Sequence, residues 1–361
     1  MAAIGVVRLI WEKPIMSAGR SGLLLAALIA VAAAVGYRAS VFQEPAPKPM
    51  GSVVMVTGGK GPFWQLVVEG AKSAAEALDV DVRYEIPDVD ENAEMQTQIL
   101  SQLNLKGVDG VAISSLDPVT QSPLINRMCE DALVVTYDSD APLSARDTYV
   151  GASNLAAGKL AAQLVREACP QGGEVACVLV NLTKENMIER RDGFEAAINA
   201  PTDDKSADAG PTYEVVDFLV DESDDQRCRE LIAKTLDEHP DLVCFVGMNA
   251  QHGGLILETL KEKNKLDQVE VVAFDETAGT LDGIREGEIY ATVVQDPYRY
   301  GYEAIRRIAT ICRGEEGLRP LSGSKSTFNI GVQPIRKENL DAFQKQLDER
   351  LKNGKQLKPT S

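Results

Sequence analysis

Short runs rich in Val and Ile alternate with amphipathic segments of helical length along most of this sequence, from Ser52 onwards. The apolar runs form a first set at residues 53–56, 80–84, 110–113 and 133–137, and a second set at residues 174–180, 213–219, 242–246, 269–274 and 290–294. Parallel strands need a long crossover, usually a helix, so this alternation predicts parallel sheets with helices on both faces. Two such sets in 361 residues predict an α/β protein with two doubly wound lobes.

Polar residues follow nearly every predicted strand. They are Thr57, Ser114, Ser115, Asp138, Asn181, Asn249, Asp275 and Gln295. Ligands of open parallel sheets bind beyond the carboxyl ends of the strands. A single strand-end Asp or Asn is as often a helix cap or a turn former. Polar residues in register across both sets nevertheless predict a shared polar cleft.

The sequence also disfavours several classes of function. A net charge of −17 and a pI of about 4.7 repel phosphate backbones, so nucleic-acid binding is not expected. Neither nucleotide-binding glycine motif nor a G-x-S-x-G elbow is present. Only two histidines occur and no Cys-x-x-Cys pair, so no metal and no cofactor are expected. We expect His252 at the rim of the cleft, without metal-binding partners.

The first fifty residues are expected to lie outside the fold. Residues 22–36 are apolar and uncharged, and Arg20 precedes them, as in the hydrophobic region of a secretory signal. The run is slightly short for a membrane span, which needs about 20 residues. It therefore predicts a signal peptide or an uncleaved inner-membrane anchor, and either predicts export to the periplasm. The proline-rich stretch 44–50 is interpreted as an extended linker.

The cysteines and the tail give further predictions. Cys177 and Cys244 lie in apolar strand-like runs and are expected to be buried thiols. Cys169 and Cys177 flank a Pro-Gln-Gly-Gly turn, and whether they form a disulfide is left open by their spacing. In the tail, the apolar positions Leu340, Phe343, Leu347 and Leu351 predict an amphipathic helix packed on one lobe.

Seven motifs occur in order along residues 52–332. They are VVMVTGGKGPFW at 53–64, GAKSAAEAL at 70–78, VVTYD at 134–138, VGASNLAAGK at 150–159, ERRDGF at 189–194, VVAFD at 271–275 and ATVVQ at 291–295. Together they resemble the ribose-binding-protein-like family of periplasmic sugar-binding proteins, whose lobes also occur in regulators of the lactose-repressor type. The resemblance implies a type I periplasmic binding protein fold with a multi-strand hinge. It implies an N-terminal lobe from 51–153 and 296–322, and a C-terminal lobe from 154–295 and 323–361. The chain is then expected to cross between the lobes near Ser153, after Gln295 and around 323–325.

The resemblance also implies roles for individual residues. Phe63 and Trp64 would stack on the apolar face of a sugar ring, although one of the two is expected to be only core. Hydrogen bonds to the sugar would come from Asp138, Arg190, Asn249, Asp275 and Gln295, and the strand-end position of Thr57 adds it to the predicted site. Asp138 and Asp275, one from each lobe, would also suit a hydrolase, but the same pair suits the grip of a polyol.

Departures from the family pattern argue against ribose itself. Gly61 stands where the family has Asn, and Ser139 stands where ribose binders have Arg. Lys60 adds a cation near the first turn, and with Arg190 it is expected to tolerate negative charge. The expected ligand is therefore another monosaccharide, a sugar acid or a related polyol.

The function implied is that of an exported, monomeric solute-binding protein that closes around its ligand and delivers it to an ABC importer. No catalysis is expected. The alternative is a membrane-tethered protein that presents its closed form to a signalling receptor. A transcriptional regulator with the same lobes would need an N-terminal helix-turn-helix, and this chain has an apolar segment there instead.

Overall fold

The structure is a computed structural model, and it describes Val31 and residues 52–200, 211–314 and 326–352. The predicted export segment at 22–36, Val31 apart, and the linker at 44–50 lie outside the described residues. Among the described helices, none combines the length and the apolar character that a membrane span requires.

The first sheet has six strands, all parallel, in the order β11-β5-β4-β3-β1-β2. These strands are β1 (Ser52–Val56), β2 (Asp81–Glu85), β3 (Val108–Ile113), β4 (Leu133–Tyr137), β5 (Thr148–Gly151) and β11 (Ser326–Asn329). Strands β1, β3 and β4 are buried nearly throughout, as expected for strands covered by helices on both faces.

The second sheet repeats this order as β12-β10-β9-β8-β6-β7. Its strands are β6 (Gly173–Leu179), β7 (Tyr213–Val220), β8 (Leu242–Gly247), β9 (Glu270–Phe274), β10 (Ala291–Val294) and β12 (Gln333–Ile335). All pair in parallel except β12, which is antiparallel to β10. The prediction of two doubly wound parallel sheets is confirmed.

Helices connect the strands on both faces of each sheet. Around the first sheet they are α1 (Pro62–Leu78), α2 (Ala93–Gln102), α3 (Pro118–Asp131) and α9 (Pro297–Cys312). Around the second they are α4 (Asn154–Ala168), α5 (Glu185–Ile198), α6 (Asp225–Glu238), α7 (His252–Glu262), α8 (Ala278–Glu286) and α10 (Leu340–Lys352). We call the elements on the first sheet the first lobe and those on the second sheet the second lobe.

The division between the lobes differs from the expected one at its last crossing. β11 falls in the range expected for the second lobe, yet it pairs with β5 of the first sheet. The chain therefore returns to the second lobe between β11 and β12, after residue 329, and not around 323–325. The predicted tail helix is confirmed: Leu340 is buried in the core of the second lobe, and Phe343 and Leu347 pack against that core.

None of the six cysteines forms a disulfide bond, and all six lie in the described part of the chain. Cys177 and Cys244 are fully buried, as predicted. The spacing of Cys169 and Cys177 left a disulfide bond between them open, and in the structure the Cys169 thiol instead donates to the carbonyl of Val243 at 3.5 Å. Cys169 and Cys177 therefore do not form a pair in this fold.

Helices α4 and α5 pack with their backbones in direct contact. A Cβ atom at Gly158 would overlap the carbonyl oxygen of Arg190, and one at Gly193 would overlap the carbonyl oxygen of Leu155. Both contacts involve rigid backbone, which cannot rotate out of the way as a side chain can. The glycines therefore set the position of α5 on the second lobe.

Gly158→Ala is expected to lower the free energy of unfolding by about 1–3 kcal/mol, because an inserted methyl group must push α5 away from α4. Gly254→Ala is the matched control, since a Cβ atom at this helical position of α7 meets nothing within 4 Å. There the better helix propensity of Ala should leave stability unchanged or slightly raised. Urea unfolding of both variants checks this, and equal stability of the two would refute the packing argument.

Candidate functional site

A cavity of about 90 Å³ lies where the carboxyl ends of the two sheets face each other. It is lined by residues of both lobes, including seven of the eight predicted site residues: Phe63, Trp64, Asp138, Arg190, Asn249, Asp275 and Gln295. A larger cavity of about 300 Å³ lies beside α10, but Asp138, Arg190 and Asp275 do not line it. We therefore assign the candidate site to the smaller cavity, where buried charges converge.

Asp138 and Asp275 occupy equivalent positions in the two lobes. Each follows the end of a central strand, β4 or β9, and each has a left-handed backbone, with φ of 58° and 62°. The N–H of Asp138 donates to Val150, and its carbonyl accepts from the Tyr149 hydroxyl. The N–H of Asp275 likewise donates to Val293, and its carbonyl accepts from the Thr292 hydroxyl.

This backbone conformation is costly for residues other than Gly, although Asp tolerates it better than most. It survives only where the surroundings fix it, and the paired hydrogen bonds to the next strand do so here. The result is that two carboxylates, one from each lobe, line the same cavity.

Each carboxylate is held by one side chain of its own lobe or of the hinge. The Ser114 hydroxyl donates to Oδ2 of Asp138 at 2.9 Å, and the Gln295 amide donates to Oδ1 of Asp275 at 2.8 Å. The remaining oxygen of each accepts no hydrogen bond from a described residue. Both Asp side chains are only 3 % exposed, so each of these two oxygens needs a hydrogen-bond donor from a ligand or from water.

Burial raises the pKa of both carboxyl groups above the ordinary value of 3.8. The positive charges of Lys184 and Arg190 oppose this rise at both positions, while the negative charge of Asp275 adds to it at Asp138. Each site carboxylate thus depends on the two cations to stay ionised.

Arg190 is almost fully buried, with 1 % of its surface exposed. Its Nε donates to Oδ1 of Asn154 at 3.0 Å, and its Nη1 donates to the carbonyl of Met248 at 2.7 Å. The guanidinium carbon lies 4.7 Å from the centre of the Phe274 ring. These contacts fix the orientation of the guanidinium group. Its Nη2 makes no hydrogen bond to a described residue, so it can donate to a ligand in the cavity.

The aromatic wall of the cavity comes from the start of α1. Phe63 and Trp64 meet edge to face, with ring centres 5.1 Å apart. Trp64 is 3 % exposed and belongs to the core of the first lobe, whereas Phe63 is half-buried. Both rings line the cavity, so the expectation that one of them would belong only to the core was wrong. Trp64 contributes to the core and to the cavity wall at once.

Gln295 and Asn249 complete the predicted polar set. Gln295 donates to Asp275, and its Oε1 accepts from the Tyr300 hydroxyl at 3.1 Å, so it mainly positions that carboxylate. Asn249 accepts from the N–H of Ala250 through Oδ1 at 2.8 Å. This bond orients its amide and keeps the NH₂ group for donation.

Three of the polar residues in the cavity wall that sequence reasoning missed are buried or nearly buried, and they are Lys184, Glu91 and Asn186. Lys184 and Glu91 form an ion pair of 2.7 Å that links the two lobes, with only 4 % and 9 % of their side chains exposed. Asn186 is buried, and its Oδ1 has no partner among the described residues. Lys184 and Asn186 lie between the end of β6 and the ERRDGF motif. A charged residue shortly after a strand end was therefore the sequence signal that could have placed Lys184 in the site.

Other expectations place residues wrongly. Thr57 is not one of the described residues that line the cavity. Its buried hydroxyl donates to the carbonyl of Gly59 instead. Lys60 is exposed, and Asn181 accepts from the backbone of Thr183 and Lys184 as a turn former. His252 is not at the rim, because it is 1 % exposed and its Nε2 lies 3.0 Å from Oδ2 of Asp221.

Comparisons with known proteins agree with this geometry. The model of a family described as periplasmic binding protein domain matches residues 52–316. The ribose import binding protein RbsB of Escherichia coli is 21 % identical over 290 residues, which span 80 % of this chain and 93 % of that protein.

Two solved structures are similar over nearly their whole length. A solute-binding protein of an ABC transporter from Burkholderia graminis, in complex with D-arabinose, has a TM-score of 0.73 and 28 % identity, covering 82 % of this chain and 98 % of that one. GanP, a glucose-galactose binding protein from Geobacillus stearothermophilus, has a TM-score of 0.72 and 29 % identity, covering 81 % and 99 %.

Proposed function

The chain belongs to the periplasmic binding protein domain family, and from that premise we propose that it is an exported protein that binds a neutral monosaccharide between its lobes. Members of this family bind substrates and perform no catalysis, so the chain is a binding protein and not an enzyme. We propose the eight-residue site in a revised form, without Thr57 and with Lys184, Glu91 and Asn186 added.

The observation that carries the proposal is the pairing of two carboxylates with one guanidinium in the wall of a small cavity between the lobes. Asp138 and Asp275 each offer a free carboxylate oxygen, which accepts from sugar hydroxyls, while Arg190 donates to sugar oxygens. The rings of Phe63 and Trp64 supply a flat apolar wall for the C–H face of a sugar. A cavity of about 90 Å³ has room for roughly six to nine water-sized groups, which suits one sugar ring.

The charges of the site favour a neutral ligand over a sugar acid. Lys184 is already paired with Glu91, and Lys60 is exposed, so neither is free to balance an added carboxylate. Asp138 and Asp275 would repel such a group at close range. Of the two cations that were expected to tolerate a negatively charged ligand, only Arg190 lines the cavity, and Lys60 does not.

The same fold suggests what happens after binding. Contacts from both lobes to one ligand stabilise the closed state, which a partner then recognises. We propose an ABC importer as that partner, in line with the similarity to the ABC transporter component from Burkholderia graminis. We also propose that the protein is a monomer. Presentation of the closed form to a membrane sensor is the second candidate, favoured by the apolar run at 22–36, which would tether the chain if it is not cleaved.

Calorimetry with a panel of ligands tests the proposal. The panel contains D-arabinose, D-ribose, D-glucose and D-galactose, with D-galacturonate and D-gluconate as acidic counterparts. We expect at least one neutral sugar to bind, the acids to bind much more weakly, and every bound sugar to be recovered unchanged by chromatography. Binding of an acid in preference to every neutral sugar would overturn the charge argument, and recovery of a product would overturn the non-catalytic function.

The ion pair between Lys184 and Glu91 is expected to act as a latch on the closed state. Lys184→Met leaves Glu91 unpaired in a cavity that is partly open to solvent, so the cost is about 1.5–3 kcal/mol, less than for a fully buried pair. Because opening re-exposes Glu91 to water, the cost falls on the closed state, and sugar affinity should drop about 10- to 100-fold. The double variant Lys184→Met/Glu91→Gln should recover part of this loss, as calorimetry can measure.

Lys72→Met is the control for the latch. Lys72 pairs with Glu69 on the exposed face of α1, where both side chains are about half exposed. An exposed pair of this kind contributes little to stability. If Lys184→Met weakened sugar binding no more than Lys72→Met, the latch would be ruled out.

A further inference from the structure

A cluster of three buried side chains of different chemistry lies in the second lobe, outside the cavity wall. Asp221 follows β7, Cys228 lies on α6 and His252 is the first residue of α7. Their exposed fractions are 2 %, 0 % and 1 %. One ligand atom from each lies within 4.8 Å of the other two, a span comparable with the ligand-to-ligand distances around a small metal ion.

The present contacts leave one buried polar atom of this cluster without a partner. Oδ2 of Asp221 lies 3.0 Å from Nε2 of His252, and no Lys or Arg among the described residues forms an ion pair with Asp221. Nδ1 of His252 is buried without a partner in the described part of the chain. A buried polar atom without a partner costs free energy.

We propose that Asp221, Cys228 and His252 form a zinc site. A divalent ion with one thiolate, one carboxylate and one neutral imidazole has no net charge, so the occupied site places no net charge in the core of the lobe. The donor set of sulfur, nitrogen and oxygen suits Zn²⁺, whereas Ca²⁺ and Mg²⁺ require oxygen ligands. The gain in free energy comes from the metal bonds themselves.

The second shell of this site is partly built. Oδ1 of Asp221 accepts from the N–H of Ser223 at 2.9 Å, which fixes the carboxylate and aims Oδ2 at the cluster. Zinc binds the thiolate form of cysteine, so it must displace a proton from Cys228, and binding should strengthen as the pH rises.

The purified full chain, stripped with a chelator and titrated without any sugar, tests the site. Zinc alone is the probe, with a chromophoric chelator as competitor. We expect one equivalent of zinc per chain, a higher thermal unfolding temperature with zinc, and tighter binding at higher pH. Cobalt should give a thiolate-to-metal charge-transfer band. Binding well below one equivalent, or a cobalt spectrum without that band, would overturn the proposal.

Variants separate this site from adventitious binding. Cys228→Ser should abolish the charge-transfer band, and His252→Gln should abolish stoichiometric zinc binding, while both keep the wild-type circular dichroism spectrum. Cys129→Ser is the matched control, because Cys129 is a half-buried thiol on α3 of the other lobe. Since no sugar is present, the outcome is independent of the sugar-binding proposal. If Cys228→Ser fails to fold, the wild-type stoichiometry and His252→Gln still decide the question.

Discussion

Arg190→Met is expected to weaken sugar binding about 100-fold or more, which corresponds to about 3 kcal/mol. The variant removes a donor to the sugar, and hydrogen bonds to charged groups contribute about 1.5–3 kcal/mol each. It also removes the cation that lowers the pKa of both Asp138 and Asp275. The carboxylates then lose a share of the charge that keeps them ionised, so the two effects add in the same direction.

Arg191→Met is the neighbouring control for this variant. Arg191 is only half-buried and pairs with the adjacent Asp192 on the outer face of α5. Its loss should change sugar affinity by less than about twofold, because such surface pairs are weak. Calorimetry of the two variants makes the comparison, and equal affinities would contradict the assignment of Arg190 to the site.

Arg190 also holds the second lobe together, and this role must be separated from binding. Its bonds to Asn154 and to the carbonyl of Met248 join α5 to α4 and to the end of β8. We therefore expect a lower unfolding temperature in the same variant. Sugar binding should therefore be measured well below that temperature, on protein that circular dichroism confirms to be folded. The loss of affinity then reflects the binding site and not unfolding.

The alternation of apolar runs and helical segments was enough to predict the two sheets, because covered parallel strands must be apolar along their whole length. Strands β5, β11 and β12 were missed for a physical reason. They have only three or four residues. In addition, β11 and β12 are edge strands with partly exposed residues. Such short strands carry no periodic signal of their own, and tertiary pairing decides them.

The candidate site was predictable where strand position determines it. Asp138 and Asp275 follow central strands, and parallel topology alone brings them to the same edge. Thr57 follows a central strand as well, but its hydroxyl donates to the carbonyl of Gly59, and Thr57 does not line the cavity. The direction of a side chain at a strand end depends on local backbone angles, which the apolar pattern does not encode.

The remaining misses concern contacts between residues far apart in the sequence. Lys184 and Glu91 are separated by 93 residues, and His252 meets Asp221 at a separation of 31. A single sequence contains no signal for such pairs unless a motif with fixed spacing covers them. This is why His252 was expected without partners, although the fold surrounds it with Asp221 and Cys228.

Asp138→Asn is expected to lower sugar affinity about 10- to 100-fold and, at the same time, to stabilise the protein without sugar at neutral pH. The affinity falls because an amide oxygen accepts from a sugar hydroxyl more weakly than a carboxylate does. Stability rises because Asn removes a buried charge whose pKa is raised mainly by burial. Asp275→Asn should behave in the same way, given its equivalent position and raised pKa.

The pH dependence follows from the direction of these shifts. A carboxyl group with a raised pKa in the folded state binds more protons there than in the unfolded chain, between the ordinary value of 3.8 and the raised one. Within that window these groups make the sugar-free protein more stable as the pH falls, whereas sugar affinity weakens because the acceptors become protonated. Thermal unfolding without sugar and calorimetry with sugar should therefore move in opposite directions from neutral to acidic pH. In Asp138→Asn both slopes should be shallower, and unchanged slopes would show that Asp138 does not titrate with the site.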